Sequence, residues 1–244
     1  VRLSLQLYTL RNPLASDLEG TLRSVKEIGL EYVELAGTYD RTPETWHGLL
    51  EDIGLRASGA HIGLSQVEND FDGVVSLAKT LGFKYVIVPW ADPSDYADGW
   101  TAFGKRLQPI GARLREVGLQ LAYHNHDFEY KNGDGLAEFY AAVPSEDLVA
   151  EVDAAWVKIG GHDPVAIIQS LSGRVPLVHL KDFDPTKTPQ WRPAGQGTMD
   201  LATIIPVANE AGAEFGVIEL DESPGDPLQA VRESAEFLRA QGLN

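Results

Sequence analysis

A chain of 244 residues with a formal charge of −16 and no cysteine excludes disulfide frameworks, thiolate metal sites and cysteine nucleophiles. The acidic balance opposes docking on phosphate backbones, so nucleic acid is not an expected partner. No run approaches the roughly 20 apolar residues that span a bilayer, which argues against a membrane protein.

The length matches the roughly 250 residues of a (β/α)8 barrel, so one TIM-barrel domain over 1–244 is expected. The opening run, Val1–Leu10, carries no basic leader and no small-residue cleavage site. It reads as structure, and the cytoplasm is the expected compartment. A homo-oligomer is compatible with this reading.

In chain order the predicted strands are Leu3–Tyr8, Tyr32–Leu35, Arg56–His61, Tyr85–Pro89, Gln120–His124, Leu148–Asp153, Pro176–His179 and Phe215–Leu220. Between them the periodicity predicts helices over Asp17–Ile28, Pro43–Ile53, Gln66–Leu81, Tyr96–Val117, Gly135–Val143, Pro164–Leu171, Leu201–Ala211 and Pro227–Gln241. Strict alternation of strand and helix demands parallel pairing with crossover helices. Glycine recurs between helix and strand at Gly29, Gly54, Gly82, Gly118 and Gly212, as expected where a left-handed residue ends a helix.

Active sites of such barrels lie at the C-terminal strand ends, so the strand exits carry the functional signal. The fifth exit reads Tyr123-His124-Asn125-His126-Asp127-Phe128-Glu129, the sixth Glu151-Val152-Asp153, the seventh His179-Leu180-Lys181-Asp182, the eighth Glu219-Leu220-Asp221-Glu222. Alternation of strand side chains pairs His124 with His126, Glu151 with Asp153, His179 with Lys181, and Glu219 with Asp221. One member of each pair can reach a common point.

A lone histidine or acid at a strand end is ordinarily a hydrogen-bonded loop residue. Four such exits in succession gather unpaired acids at one barrel mouth, and these would repel one another unless a cation balanced them. Imidazoles mixed with carboxylates suit Mn²⁺, Zn²⁺ or Co²⁺. Glu34, His61 and Trp90, at exits two to four, could give a sugar hydrogen bonds and a stacking face, and Trp156 and Trp191 could close over it. Gly195-Gln196-Gly197 lacks the lysine and spacing of a nucleotide loop and reads as a flexible turn.

At these residues the sequence resembles the xylose-isomerase-like barrel superfamily of sugar phosphate isomerases/epimerases, which includes inosose dehydratases, ketose 3-epimerases and an apurinic endonuclease branch. The resemblance runs from Gln6-Leu7-Tyr8-Thr9-Leu10-Arg11 through Tyr32-Val33-Glu34-Leu35, the fifth-strand phrase, Asp153, Gly160-Gly161-His162-Asp163-Pro164 and His179-Leu180-Lys181-Asp182 to Glu219. It implies a divalent cation, Mn²⁺ foremost with Zn²⁺, Co²⁺ or Mg²⁺ as substitutes, bound by Asp153, His179 and Glu219. His124 stands where many relatives carry a first glutamate. Trp156 stands where several carry histidine.

The implied activity is metal-dependent isomerisation or epimerisation of a ketose or related carbohydrate through an enediolate. Glu219 is the expected base, and His126, Glu129 or Lys181 returns the proton or protonates a departing oxygen. A lyase or dehydratase acting on an inosose or 3-keto-glycoside is the alternative, drawn from the same intermediate. A non-catalytic sugar-binding barrel is the reading from another class, and an apurinic-site nuclease is opposed by the acidic balance.

Overall fold

Side-chain alternation in the strands and apolar stripes on the helices close, in the computed structural model, into an eight-stranded parallel barrel wrapped by helices. The structure describes residues 1–131, 133 and 135–244. Its strands are β1 (Arg2–Gln6), β2 (Tyr32–Ala36), β3 (Arg56–His61), β4 (Tyr85–Val88), β5 (Gln120–His124), β6 (Val149–Asp153), β7 (Leu177–His179), β8 (Asp182–Phe183), β9 (Trp191–Arg192) and β10 (Phe215–Ile218). The barrel runs β1-β10-β7-β6-β5-β4-β3-β2 and closes on β1, while β8 and β9 form a separate antiparallel ribbon.

The barrel interior divides by height. At its lower end Tyr32, Tyr85, Ile87, Ala122, Val149, Leu177, Phe215 and Val217 pack as one apolar plug. Two residues further along β2, β5, β6, β7 and β10 the inward positions turn polar, giving Glu34, His124, Glu151, His179 and Glu219, whereas β4 continues apolar to Pro89. Buried polar groups cost stability unless paired, so this layer is a departure from the packing that would hold the barrel best.

Register lines up the polar layer. His124 is level with Glu151 and Asp153 with His179. His179 is level with Val217, so Glu219 projects one inward step higher. The strand stagger of a closed barrel thereby carries residues from four separate strands to the C-terminal mouth.

All five inter-element glycines adopt left-handed φ, from +73° at Gly82 to +99° at Gly212, as the recurring phrase predicts. Several boundaries differ from expectation. β1 stops at Gln6 because its side-chain oxygen takes the Tyr8 N–H at 3.0 Å and folds Leu7–Leu10 into a 3-10 turn. The helix predicted over Gln66–Leu81 is two, Leu64–Asn69 and Phe71–Leu81, since Asp70, at φ −133° and ψ 53°, leaves the helical region and caps the second by accepting from Gly73 N–H at 3.2 Å. The helix predicted from Tyr96 starts at Trp100, because Gly99 at φ +93° cannot continue a helix backward. β10 ends at Ile218, where the Leu220 N–H turns to the Thr9 hydroxyl at 3.1 Å.

Candidate metal centre

Asp153 shows how local structure aims a ligand. It caps the short helix Ala154–Ile159, and its Oδ1 accepts the N–H groups of Ala155 and Trp156 at 3.0 and 2.9 Å. Oδ2 is left facing the barrel axis. Asn125 holds the same residue from the neighbouring strand: its side chain accepts the Asp153 N–H at 3.0 Å and donates to the Asp153 carbonyl at 3.3 Å. Asn125 was not singled out in the sequence, although its place between His124 and His126 turns it away from the axis and toward β6.

Around Asp153 Oδ2 gather His124 Nε2 at 3.8 Å and His179 Nδ1 at 3.9 Å, and His179 Nδ1 lies 2.7 Å from Glu219 Oε2. One ligand atom from each of His124, Asp153, His179 and Glu219 falls within 4.8 Å of every other. A second grouping, His61, His124, Glu151 and His179, meets the same limit one layer deeper. Lys181 Nζ lies beside the first, 3.1 Å from Asp153, 2.9 Å from Glu219 and 3.0 Å from Asp221.

Charge balance bears on what such a site holds. Glu34, Glu151, Asp153, Glu219 and Asp221 bring five carboxylates together against Lys181 and two imidazoles, His61 and His179, which burial would lower and these acids hold above their ordinary value. Among the described residues, Glu34 Oε2, Glu151 Oε1 and Asp153 Oδ2 are buried without a hydrogen bond of good geometry, although the Lys181 ammonium is near the last. An N₂O₂ donor set in which five carboxylates still outnumber the three cationic groups fits a divalent cation, whose binding would displace the proton that His179 holds.

Burial sets the titration of these groups, with charges correcting it. Burial and the neighbouring His179 and His126 hold the His124 imidazole well below its ordinary value, so it is neutral and free to ligate. Burial and the Lys181 charge drop His126 to about 3. Burial alone would raise Glu219, but Lys181 and His179 outweigh it and keep the carboxylate ionised. Burial likewise opposes the Lys181 charge, and Asp153, Glu219 and Asp221 overcome it, so the ammonium persists.

The mouth holds a cavity of about 360 Å³ lined by Tyr8, Ala36, His61, Pro89, Trp90, His124, His126, Glu219 and Asp221. A larger cavity of about 630 Å³ opens at the opposite end around Arg2, Tyr32, Lys84 and Glu214. It lies below the apolar plug and touches none of the clustered acids and imidazoles, so chemistry belongs to the smaller one.

The predicted site residues divide by position. Trp90, 47% exposed, and His61 line the mouth beside His126. Trp156 stands at the rim, with its ring 5.3 Å from His126, 5.0 Å from Trp191 and 5.4 Å from the Lys181 ammonium. Glu34 is not at a substrate's reach: it is wholly buried beneath the cluster, accepting from Gln6 at 2.7 Å and meeting His179 at 2.9 Å.

Glu129 is buried and does not line the cavity either. Its carboxylate accepts the Tyr123 hydroxyl at 2.8 Å and the His126 N–H at 3.0 Å, which anchors the fifth exit. Gly195-Gln196-Gly197 is a fixed turn, since Asp182 Oδ2 accepts both glycine N–H groups at 2.9 Å.

The position of Glu129 has a measurable consequence. Burial lifts its carboxyl from 4.5 to about 7. Between those values the unfolded chain releases a proton that the folded chain keeps, so stability declines as pH rises through the window and is level beyond it. The wild type is expected to lose about 2–3 kcal/mol more than Glu129→Gln between pH 5 and pH 8. Urea unfolding of both proteins at the two pH values checks this, and parallel losses contradict it.

A closed barrel with a buried histidine and carboxylate cluster at its C-terminal mouth defines a TIM barrel able to hold a divalent ion. The sequence profile of the xylose isomerase-like TIM barrel matches residues 22–241, and the chain belongs to that family. It is 26% identical over 223 residues to the rhizopine catabolism protein MocC of Rhizobium meliloti, covering 81% of this chain and 68% of that one. It is 23% identical over 163 residues to the inosose dehydratase of Lacticaseibacillus casei, covering 59% of this chain and 55% of the dehydratase. A sugar phosphate isomerase/epimerase structure from Parabacteroides distasonis superimposes with TM-score 0.83 at 21% identity, covering 98% of this chain and 93% of the other. Among the described residues no helix is long and apolar enough to cross a membrane.

Proposed function

We propose that this chain is a divalent-metal-dependent enzyme that moves a proton at a carbon next to a carbonyl in a neutral carbohydrate, as an isomerase or epimerase. The observation that carries the reading is the convergence of His124, Asp153, His179 and Glu219 at a cavity of sugar-sized volume. When bound, a cation such as Mn²⁺ supplies Lewis-acid polarisation of adjacent carbonyl and hydroxyl oxygens.

The residues then divide the work. Glu219 lines the cavity as an ionised carboxylate and takes the proton from carbon. Lys181 stays charged and, 2.9 Å from Glu219, holds that carboxylate in its ionised form. His126, neutral and with a buried Nδ1 lacking a partner among the described residues, hands the proton back or bonds a hydroxyl. Trp90 offers the face on which a sugar ring stacks. Among the described residues the cavity wall carries two acids and no lysine or arginine, which favours an uncharged sugar over a phosphorylated one.

Dehydration is the second reading, favoured by similarity to inosose dehydratases. Incubation of the metal-loaded protein in D₂O with ketoses and inososes separates the cases. Deuterium at carbon with the carbon skeleton intact and isomeric product supports the first, and loss of water supports the second. A binding module would take up sugar without either change, and that result across the panel would end the catalytic reading.

A further inference from the structure

Beneath the proposed ligand atoms lies a second polar layer that the reaction does not use. Glu151 is wholly buried and does not line the mouth cavity. Its Oε2 is 2.7 Å from His61 Nε2, 3.1 Å from His124 Nδ1 and 3.3 Å from His179 Nε2. Glu34 Oε1 supports the same layer, 2.9 Å from His179 Nε2, 3.2 Å from His61 Nε2 and 2.7 Å from the Gln6 amide.

The orientation of the two ligand rings gives this layer its meaning. His124 turns Nε2 up toward Asp153 and Nδ1 down toward Glu151. His179 turns Nδ1 up toward Glu219 and Asp153, and Nε2 down toward Glu34 and Glu151. A nitrogen that ligates a metal must present its lone pair, so in a neutral imidazole the opposite nitrogen carries the hydrogen and needs an acceptor. In a core closed to water that acceptor has to be built into the protein.

The geometry points to Glu151 as a positioning residue whose Oε2 accepts the lower N–H of His124 and stands 3.3 Å behind the lower nitrogen of His179, whose hydrogen bond goes to Glu34 Oε1 at 2.9 Å, so that the two carboxylates fix each tautomer with its free lone pair aimed at the cation. Glu34 is itself steadied by Gln6. The inference rests on the metal reading above and adds to it a residue that touches neither substrate nor cation. The competing arrangement puts the cation among His61, His124, Glu151 and His179. There Glu151 Oε2 is itself at hydrogen-bond distance from all three nitrogens, so the carboxylate oxygen fills the point where those nitrogens meet.

Cobalt binding to chelator-stripped protein tests this without any substrate, with affinity read by competition against a chromophoric chelator and geometry by the visible Co²⁺ spectrum. Wild type is expected to bind one Co²⁺, and Asp153→Asn to lose it. Glu151→Gln is expected to bind about tenfold to hundredfold more weakly with a shifted spectrum, because a neutral amide accepts the His124 N–H more weakly than a carboxylate does and removes the negative charge behind both rings. His61→Ala, which removes a donor to Glu151 and no acceptor of the ligand rings, is expected to stay within about threefold of wild type. Should Glu151→Gln fail to fold, Glu151→Asp keeps the charge but shortens the reach, and a smaller loss, still measurable, is expected.

Failure of wild type to bind Co²⁺ sinks the metal reading and this inference together. Binding by wild type, loss in Asp153→Asn and undiminished affinity in Glu151→Gln or Glu151→Asp overturn the inference alone. Loss in His61→Ala with retention in Asp153→Asn puts the cation in the deeper set, makes Glu151 a ligand, and also overturns it.

Discussion

Glu219→Gln is expected to slow exchange of a substrate's carbon-bound proton with D₂O by about 10²–10⁴-fold, the usual worth of a positioned general base. The carboxylate lines the mouth cavity, and its Oε2 is fixed by His179 at 2.7 Å and Lys181 at 2.9 Å. Glutamine keeps the shape but has no basic oxygen to take the proton. Because Glu219 also belongs to the proposed ligand set, the rate is to be divided by the metal each preparation retains. An undiminished rate at full metal content removes Glu219 as the base. A fall that tracks metal loss alone reduces it to a ligand.

The second large effect is on stability. Lys181→Met is expected to destabilise the metal-free protein by about 3–5 kcal/mol, the usual result of removing one partner from a buried ionic cluster. Lys181 is 1% exposed and lies within 3.1 Å of oxygens from Asp153, Glu219 and Asp221. Without the ammonium these acids face one another in a medium that screens poorly. A divalent cation should restore part of the loss, so the gain in melting temperature on adding Mn²⁺ should be larger for the variant than for wild type. Equal unfolding free energies for the two metal-free proteins would contradict the role given to Lys181.

Both predictions turn on residues that the sequence displays openly. His179 with Lys181, and Glu219 with Asp221, stand two apart at the ends of apolar runs, and in a strand that spacing means one shared direction. The position of Glu129 was not open to the same reasoning. Five residues past His124 it has already left the strand, so periodicity no longer says where it points, and a tertiary contact with Tyr123 decides. The depth of Glu34 was hidden in another way. Its inward direction was legible, but its depth depends on how β2 is staggered against β1 and β3, where the pairing also shifts between Val33 and Glu34.

What the chain determines by itself is the repeat of strand and helix, the glycines that separate them, and the chemical character of the strand exits. These follow from local sterics and from alternation, which act over a few neighbouring residues. Tertiary structure decided the height of each side chain along the barrel axis, and with it the division of Glu151 from Asp153 and of Glu34 from the cavity. Height is set by barrel stagger, a property of strands brought together from distant parts of the chain, and nothing local encodes it.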